Sequence, residues 1–231
     1  LISDYNTASG KYAEYFTPQA LSKAIAQILV RMSPVEDKIY EIYDPSAGSG
    51  SLVLHLANEL GNGKFGNKAR VYTQDISQKS SRFLRINMLL NSLKESLENI
   101  IEGDTLTTPA HYKRRGDNTS GLKHFDYITS NPPFKTDFSS TRDTIEKMWS
   151  ATDRFFAGVP SIPNKKKESM AIYLLFIQHI LYSLKDGGKA AIVVPTGFIT
   201  DQGSIQKKIR QKIVDNHWLK GVSSMPSNIF A

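Results

Sequence analysis

The sequence predicts a doubly wound α/β domain built on a parallel sheet. Short apolar runs alternate with segments of helical period, acidic or glycine-rich residues recur just after successive runs, and 231 residues suffice to bury one sizeable core. A single domain over 1–231 is expected, with a helical lead-in over 1–36 and an α/β core over 37–231. A polar lid interrupts that core at about 135–168.

The first helix is read from Leu21, Ile25, Ile28, Leu29 and Met32, which recur at helical spacing and form its expected buried stripe. Thr17 suits its N-cap and Pro18 its first position. Ile39 to Asp44 is the first strand, Pro45-Ser46-Ala47-Gly48-Ser49-Gly50-Ser51 a glycine turn, and Leu52 to Leu60 an apolar helix. The second strand, Ala69 to Gln74, ends at Asp75; Ser77 caps a helix in which Phe83, Ile86, Leu90 and Leu93 recur at helical spacing. Asn99 to Glu102 is a short third strand ending in Gly103-Asp104, and His124 to Ser130 a fourth. Met170 to Leu184 reads as a buried helix stopped by Gly187-Gly188. Strand Ala190 to Val194, an outer helix from Ser204 to Val214, and strand Trp218 to Ser223 complete the series.

Two turns carry chemistry. In the first, no Lys follows the second glycine, so it is not a phosphate-binding P-loop, and the third glycine of the dinucleotide fingerprint is missing. Asp44, with three residues between it and a Gly-x-Gly, suits a ligand with a positive amino group and no phosphates, such as S-adenosylmethionine. A plain strand-to-helix turn is the other reading. Asp75 stands where a carboxylate accepts from both ribose hydroxyls, or serves only as a helix N-terminal acid. Asp104 is placed to accept from an adenine amino group, or simply to make a turn.

The second turn is Asn131-Pro132-Pro133-Phe134. Two prolines nearly dictate the backbone and leave carbonyls free to accept, while the carboxamide and the ring suit an extruded base. An ordinary strand-ending turn with a core Phe is the competing account.

Composition adds a net charge of +7 and a pI near 9.4, which favour an acidic partner such as nucleic acid. Without cysteine there is no disulfide or cysteine-ligated zinc, the scattered histidines lack ligand spacing, and no metal site is expected. No signal peptide or long apolar span is visible, so the expected location is cytoplasmic, away from membranes. Two polar stretches flank strand ends. Thr107 to Lys123 holds Lys113, Arg114 and Arg115; Lys135 to Glu168 holds Arg142, Lys147, Arg154 and Lys165 to Lys167 beside Trp149, Phe155 and Phe156. Basic residues among aromatics suit a DNA-facing lid, though charge runs are commonly solvated loops.

Asp44-Pro-Ser-Ala-Gly-Ser-Gly-Ser followed by Asn131-Pro-Pro-Phe resembles the cofactor and catalytic motifs of amino-group DNA methyltransferases, the N6-adenine branch above all. With Tyr15-Phe16-Thr17-Pro18, Arg85-Ile-Asn-Met-Leu-Leu and Leu184-Lys-Asp-Gly-Gly-Lys-Ala-Ala-Ile-Val-Val-Pro, the chain is similar to modification subunits of type I restriction-modification systems from about Gly10 onward. The resemblance implies a Rossmann-like S-adenosylmethionine-dependent methyltransferase sheet. Relative to that family the chain looks truncated at both ends, beginning at Leu1 without Met and stopping after Pro226-Ser-Asn-Ile-Phe-Ala.

By the same resemblance the cofactor lies against Tyr15, Phe16, Thr17, Pro18, Asp44, Ser46, Gly48, Gly50, Ser51, Asp75, Ile76, Asp104, Thr105 and Asn131. Asn131, Pro132, Pro133 and Phe134 then carry catalysis on an adenine flipped out of double-stranded DNA. The absence of cysteine agrees, because cytosine-C5 methylation needs a cysteine nucleophile. No target-recognition segment is visible, so a separate specificity subunit is the implied reader of sequence, with a second modification subunit and a restriction subunit in the full complex. An RNA or protein-glutamine methyltransferase is the first alternative, which Phe134 in place of the usual Tyr and the Tyr15 to Pro18 stretch count against. A non-catalytic module holding cofactor or partner is the second.

Overall fold

Alternation of apolar runs becomes a five-stranded parallel sheet in a computed structural model that describes residues 17–63, 68–113, 121–226 and 229. Helix α1 (Gln19–Arg31) leads into β1 (Tyr40–Asp44), α2 (Ser51–Leu60), β2 (Ala69–Asp75), α3 (Gln78–Leu90) and β3 (Ile100–Glu102). After β4 (Phe125–Ser130) come α4 (Arg142–Trp149), α5 (Tyr173–Tyr182), β5 (Leu184–Ile192), the short α6 (Gly197–Thr200) and α7 (Ser204–Asp215). The strand order is β3-β2-β1-β4-β5. The chain therefore winds outward from β1 to one edge and returns to the other side at β4. Between β1 and β4, paired at Ile42 with Tyr127 and Tyr43 with Ile128, the winding reverses and a crevice opens at the carboxyl ends. Both turns singled out above leave the sheet there.

One face of the sheet packs Ile42, Val71 and Ile100 against Leu52, Val53 and Leu56 of α2, with Leu21 and Leu29 of α1 behind. The other stacks Tyr43 on Phe125 at 4.4 Å, with Ile128 and Ile180 beneath. Of the expected α1 stripe, Leu21, Ile25 and Leu29 are buried, but Ile28 and Met32 are exposed. The buried arc is turned toward Ser22, Ala26 and Val30, because the small side chains let α1 come close enough to α2 for the Ser22 and Ser51 hydroxyls to bond at 2.8 Å. Helix α1 also starts at Gln19, so Pro18 precedes it and Thr17 is not its N-cap.

In α3, Ser77 caps as expected, its hydroxyl accepting from the Ser80 N–H. The buried face differs. Ser80, Ser81, Leu84 and Met88 go inside with Leu93, while Phe83, Ile86 and Leu90 are exposed. Two apolar lines share this helix, and the one opposite the glycine turn is the one that packs. Gly50, at φ +86°, abuts Leu84 so closely that an added Cβ would collide with its Cδ1.

Three further expectations change. Helix α5 stops at Tyr182, and Gly187-Gly188 lie inside β5 rather than ending a helix. Phe125 pairs with Leu184 but Tyr127 with Lys189, so a bulge takes up the extra residues, and a Cβ on Gly188 would stand 3.0 Å from the Phe125 carbonyl. Residues 218–223 form no strand: the Trp218 N–H closes α7 on the Ile213 carbonyl, and Trp218, Leu219 and Val222 are exposed with no sheet neighbour. Among the described residues, no helix is long and apolar enough to cross a membrane.

The two turn glycines predict different costs. Gly48, at φ +52°, has nothing within 4 Å of an added Cβ, whereas Gly50 has both a left-handed backbone and Leu84 against it. Gly48→Ala is expected to cost about 1 kcal/mol of unfolding free energy and Gly50→Ala roughly 3 kcal/mol, read by urea denaturation. Equal losses would show that Leu84 yields freely.

Candidate active site

Asp44 ends β1 and is buried, 1% exposed. Its Oδ1 accepts from the Ser46 N–H at 3.0 Å and lies 3.5 Å from the Ser46 hydroxyl. Ser46 Oγ in turn bonds Ser130 Oγ at 2.7 Å, joining the ends of β1 and β4 across the reversal point. Burial pushes the Asp44 carboxyl up to about 8; the Ser46 N–H pulls it back, and the charge of Asp75 pushes it further up. The group is thus largely protonated at neutral pH, not the standing negative charge that sequence suggests.

The turn is held open by its neighbours. Gly48 donates its N–H to Asp75 Oδ2 at 2.8 Å, and Asp75 Oδ1 accepts from the Ser77 N–H at 2.8 Å. Asp75 therefore braces the glycine turn against the start of α3, a role the sequence does not announce. Gly50 donates to the Ala47 carbonyl at 2.8 Å, and space stands open where a Gly48 Cβ would project. A buried carboxyl, a half-buried carboxylate and a bare backbone edge make a fit for an amino-bearing, ribose-bearing cofactor with no phosphate.

The remaining expected cofactor residues divide. Asp104 uses Oδ1 on the Leu106 N–H and Oδ2 on the Thr107 hydroxyl, both at 2.9 Å, so that, like Asp75, it supports its own turn. Thr105 is buried with its hydroxyl on the Pro45 carbonyl at 2.7 Å, strapping the β3 turn to the glycine turn. Ser51 bonds Ser22, and Ile76 is 74% exposed at the end of β2. Tyr15 and Phe16 lie outside the described residues.

Asn131 follows β4 directly. Its Nδ2 donates to Thr17 Oγ1 at 3.2 Å, so the lead-in to α1 reaches across to the second turn. That bond turns Oδ1 away from Thr17, and among the described residues Oδ1 accepts from nothing. Pro132 is buried, Pro133 exposed, and Phe134 half-buried with its edge toward Tyr173 at 6.5 Å. The two motifs, far apart in sequence, are thus held together by the Ser46–Ser130 bond, while the Thr17–Asn131 bond ties the second to the lead-in of α1. Ser130 is the participant that sequence reasoning passed over, although a hydroxyl at a strand end beside a carboxyl was the available signal.

The stretch from 135 to 168 is more folded than a polar lid. Phe138, Ile145, Phe155, Val159 and Met170 pack into one cluster with Leu106. Arg142 is engaged by Glu146 and Asp143, and Arg154 is fully buried, so neither is a free DNA contact, nor is buried Phe155. Phe156 is half-buried under Lys212 at 3.9 Å. Lys147 and Lys165 to Lys167 are exposed. In the earlier stretch Lys113 donates to the Gly121 carbonyl through its backbone, while Arg114 and Arg115 lie outside the described residues.

Comparison with known proteins gives the family of the chain. The family model for N-6 DNA methylases matches residues 1–231. The MpnII type I restriction enzyme methylase subunit of Mycoplasma pneumoniae is 33% identical over 233 residues, spanning 100% of this chain and 40% of that protein. The EcoEI methylase subunit of Escherichia coli is 24% identical over 238 residues, spanning 100% and 42%. Among solved structures, the type I restriction-modification methyltransferase subunit of Streptococcus thermophilus superposes with a TM-score of 0.63 at 25% identity, covering 93% of this chain and 41% of that one. A Listeria monocytogenes protein described as a class I S-adenosylmethionine-dependent methyltransferase shares the fold, with a TM-score of 0.61 at 16% identity over 90% of this chain and 55% of that one. The chain spans about two-fifths of the length of the methylase subunits it matches.

Asp44 predicts a pH dependence. Its carboxyl rises from 3.8 when unfolded to about 8 when folded, so between those values the native state keeps a proton that the unfolded chain has lost. Stability contributed by this group therefore falls as pH rises across that window, by up to about 1.4 kcal/mol per pH unit. Asp44→Asn, which keeps the acceptor for Ser46, is expected to flatten the slope in urea denaturation series at stepped pH. An unchanged slope would contradict the assignment.

Proposed function

Because the chain belongs to the N-6 DNA methylase family, we propose that it is the catalytic core of an enzyme that methylates the N6 amino group of adenine in DNA. S-adenosylmethionine is the cofactor, and when bound it supplies an electrophilic methyl group on a sulfonium centre. Asp44 faces its amino group, Gly48 gives it an open backbone edge, Gly50 seats the turn on Leu84, and Asp75 takes its ribose. Thr17 and Pro18 border its methionine end.

The chain's own residues then make the amine a nucleophile. The lone pair of adenine N6 is delocalised into the ring, so attack requires the nitrogen to become tetrahedral. Asn131 Oδ1 and the Pro132 carbonyl accept hydrogen bonds from the two N6 hydrogens and favour that form. Asn131 is not a base; the proton leaves to solvent after transfer, and the rate comes from positioning and from stabilising the charged transition state. Phe134 stacks on the extruded adenine and offsets part of the unstacking cost.

The observation that carries this reading is the 3.2 Å bond from Asn131 Nδ2 to Thr17, which leaves the acceptor end of the carboxamide for substrate. Choice of DNA site falls to a separate specificity subunit, with a second modification subunit and a restriction subunit completing the assembly. The test is transfer of labelled methyl by the full-length protein with that partner, followed by nucleoside digestion. Label in N6-methyladenine of DNA is expected; label in RNA or in protein glutamine would contradict the reading.

Asn131→Ala is expected to lower the transfer rate by roughly a thousandfold while cofactor affinity stays within a few-fold. Thr17→Val keeps the shape but not the acceptor, and should cost about tenfold in kcat with little change in cofactor affinity. Parallel loss of cofactor binding in both variants would undo this division of labour.

A further inference from the structure

Arg154 lies in the insert between the catalytic turn and α5, and it is 0% exposed. Its donors all meet neutral acceptors: Nη2 the Thr105 carbonyl at 2.6 Å, Nη1 the Leu106 carbonyl at 3.0 Å, and Nε the His179 Nδ1 at 3.1 Å. The guanidinium plane is covered by Trp149 at 4.0 Å and Phe155 at 4.7 Å. Among the described residues no carboxylate hydrogen-bonds to it, and Asp104, whose charge acts on it, keeps its oxygens on its own turn. A buried charge with no bonded counter-charge contributes little to stability alone, since an apolar side chain of similar size would pack there without the desolvation penalty.

What the guanidinium joins is more telling. The Thr105 and Leu106 carbonyls belong to the turn after β3, and the Thr105 hydroxyl fastens that turn to Pro45 in the glycine turn at 2.7 Å. On its other side the insert follows directly on the catalytic turn, and it is closed on itself where the Thr136 N–H donates to the Met170 carbonyl at 3.1 Å. His179 ties the same point to the sheet, with Nε2 on the Tyr43 hydroxyl at 3.2 Å. Accepting at Nδ1 requires a neutral ring. Burial first, then the Arg154 charge and His111, hold His179 well below the usual histidine range. Facing Arg154 are Tyr43 from β1, Asp104 and Tyr112 from the loop after β3, and Tyr182 from α5.

We propose that Arg154 is a positioning residue that latches the insert after the catalytic turn to the cofactor loops, so that filling the cofactor site orders the insert behind the turn that holds the target base. The proposal rests on the cofactor reading above. It makes cofactor and DNA binding cooperative without any contact between Arg154 and either ligand.

Hydrogen exchange on the full-length protein, with and without S-adenosylmethionine, tests it. In the unaltered protein the cofactor should slow exchange at 45–50 and 104–108 and also at 152–159. In Arg154→Met, cofactor should still protect 45–50 but no longer 152–159, with affinity weakened roughly tenfold; Arg154→Lys, which keeps the charge but not the fork, should recover only part of the coupling. Protection of 152–159 that survives in Arg154→Met, with only a lower melting temperature, would overturn the latch and leave a structural pin. Should Arg154→Met fail to fold, the unaltered protein decides: protection confined to the cofactor loops overturns the latch while the cofactor reading stands, and no protection anywhere overturns both.

Discussion

The carboxyl of Asp44, buried where the sheet reverses its winding, is the constraint around which the site is arranged. A doubly wound sheet must leave a crevice between the two strands at which its direction changes, here β1 and β4. Placing an acid at the floor of that crevice is costly unless something compensates it. One N–H and two hydroxyls compensate it in part, and the rest of the penalty appears as retained proton. A cationic group arriving there would release that proton, so the cost of burial becomes selectivity for charge.

Rigid positioning explains the remainder. The glycine turn is fastened to Asp75, to the Thr105 hydroxyl, to Ser130 and against Leu84 of α3, among others. The Asn131 turn is fastened by its prolines and by Thr17. Each fastening comes from a different element, so the reacting groups are set by packing of the whole sheet and not by either loop alone. Catalysis that works by orientation, with no general base, needs that kind of support.

Features written locally were legible in the sequence. The strands ending in Asp44 and Asp75, the glycine turn and the Asn-Pro-Pro-Phe turn depend on near neighbours in the chain, and their order fixes where they meet once a parallel sheet is assumed. Packing choices were not. Helices α1 and α3 each carry two apolar lines, and Ser22, Ala26 and Ser80 decide which one goes inside because small residues admit a close partner. Gly187 and Gly188 look like a helix stop but serve a bulge against Phe125. Arg154 sits among basic and aromatic residues that read as a solvated DNA-facing run, and only the fold shows that its acceptors are the carbonyls of Thr105 and Leu106.

The proposed contact on which the site depends is that of a buried, protonated Asp44 with the amino group of S-adenosylmethionine. Calorimetric titration of that cofactor into the full-length protein at pH 7, in two buffers of different ionisation enthalpy, tests it most directly. Saturable binding with release of about one proton is the predicted result. Binding with no proton release, or no binding by demonstrably folded protein, would contradict it.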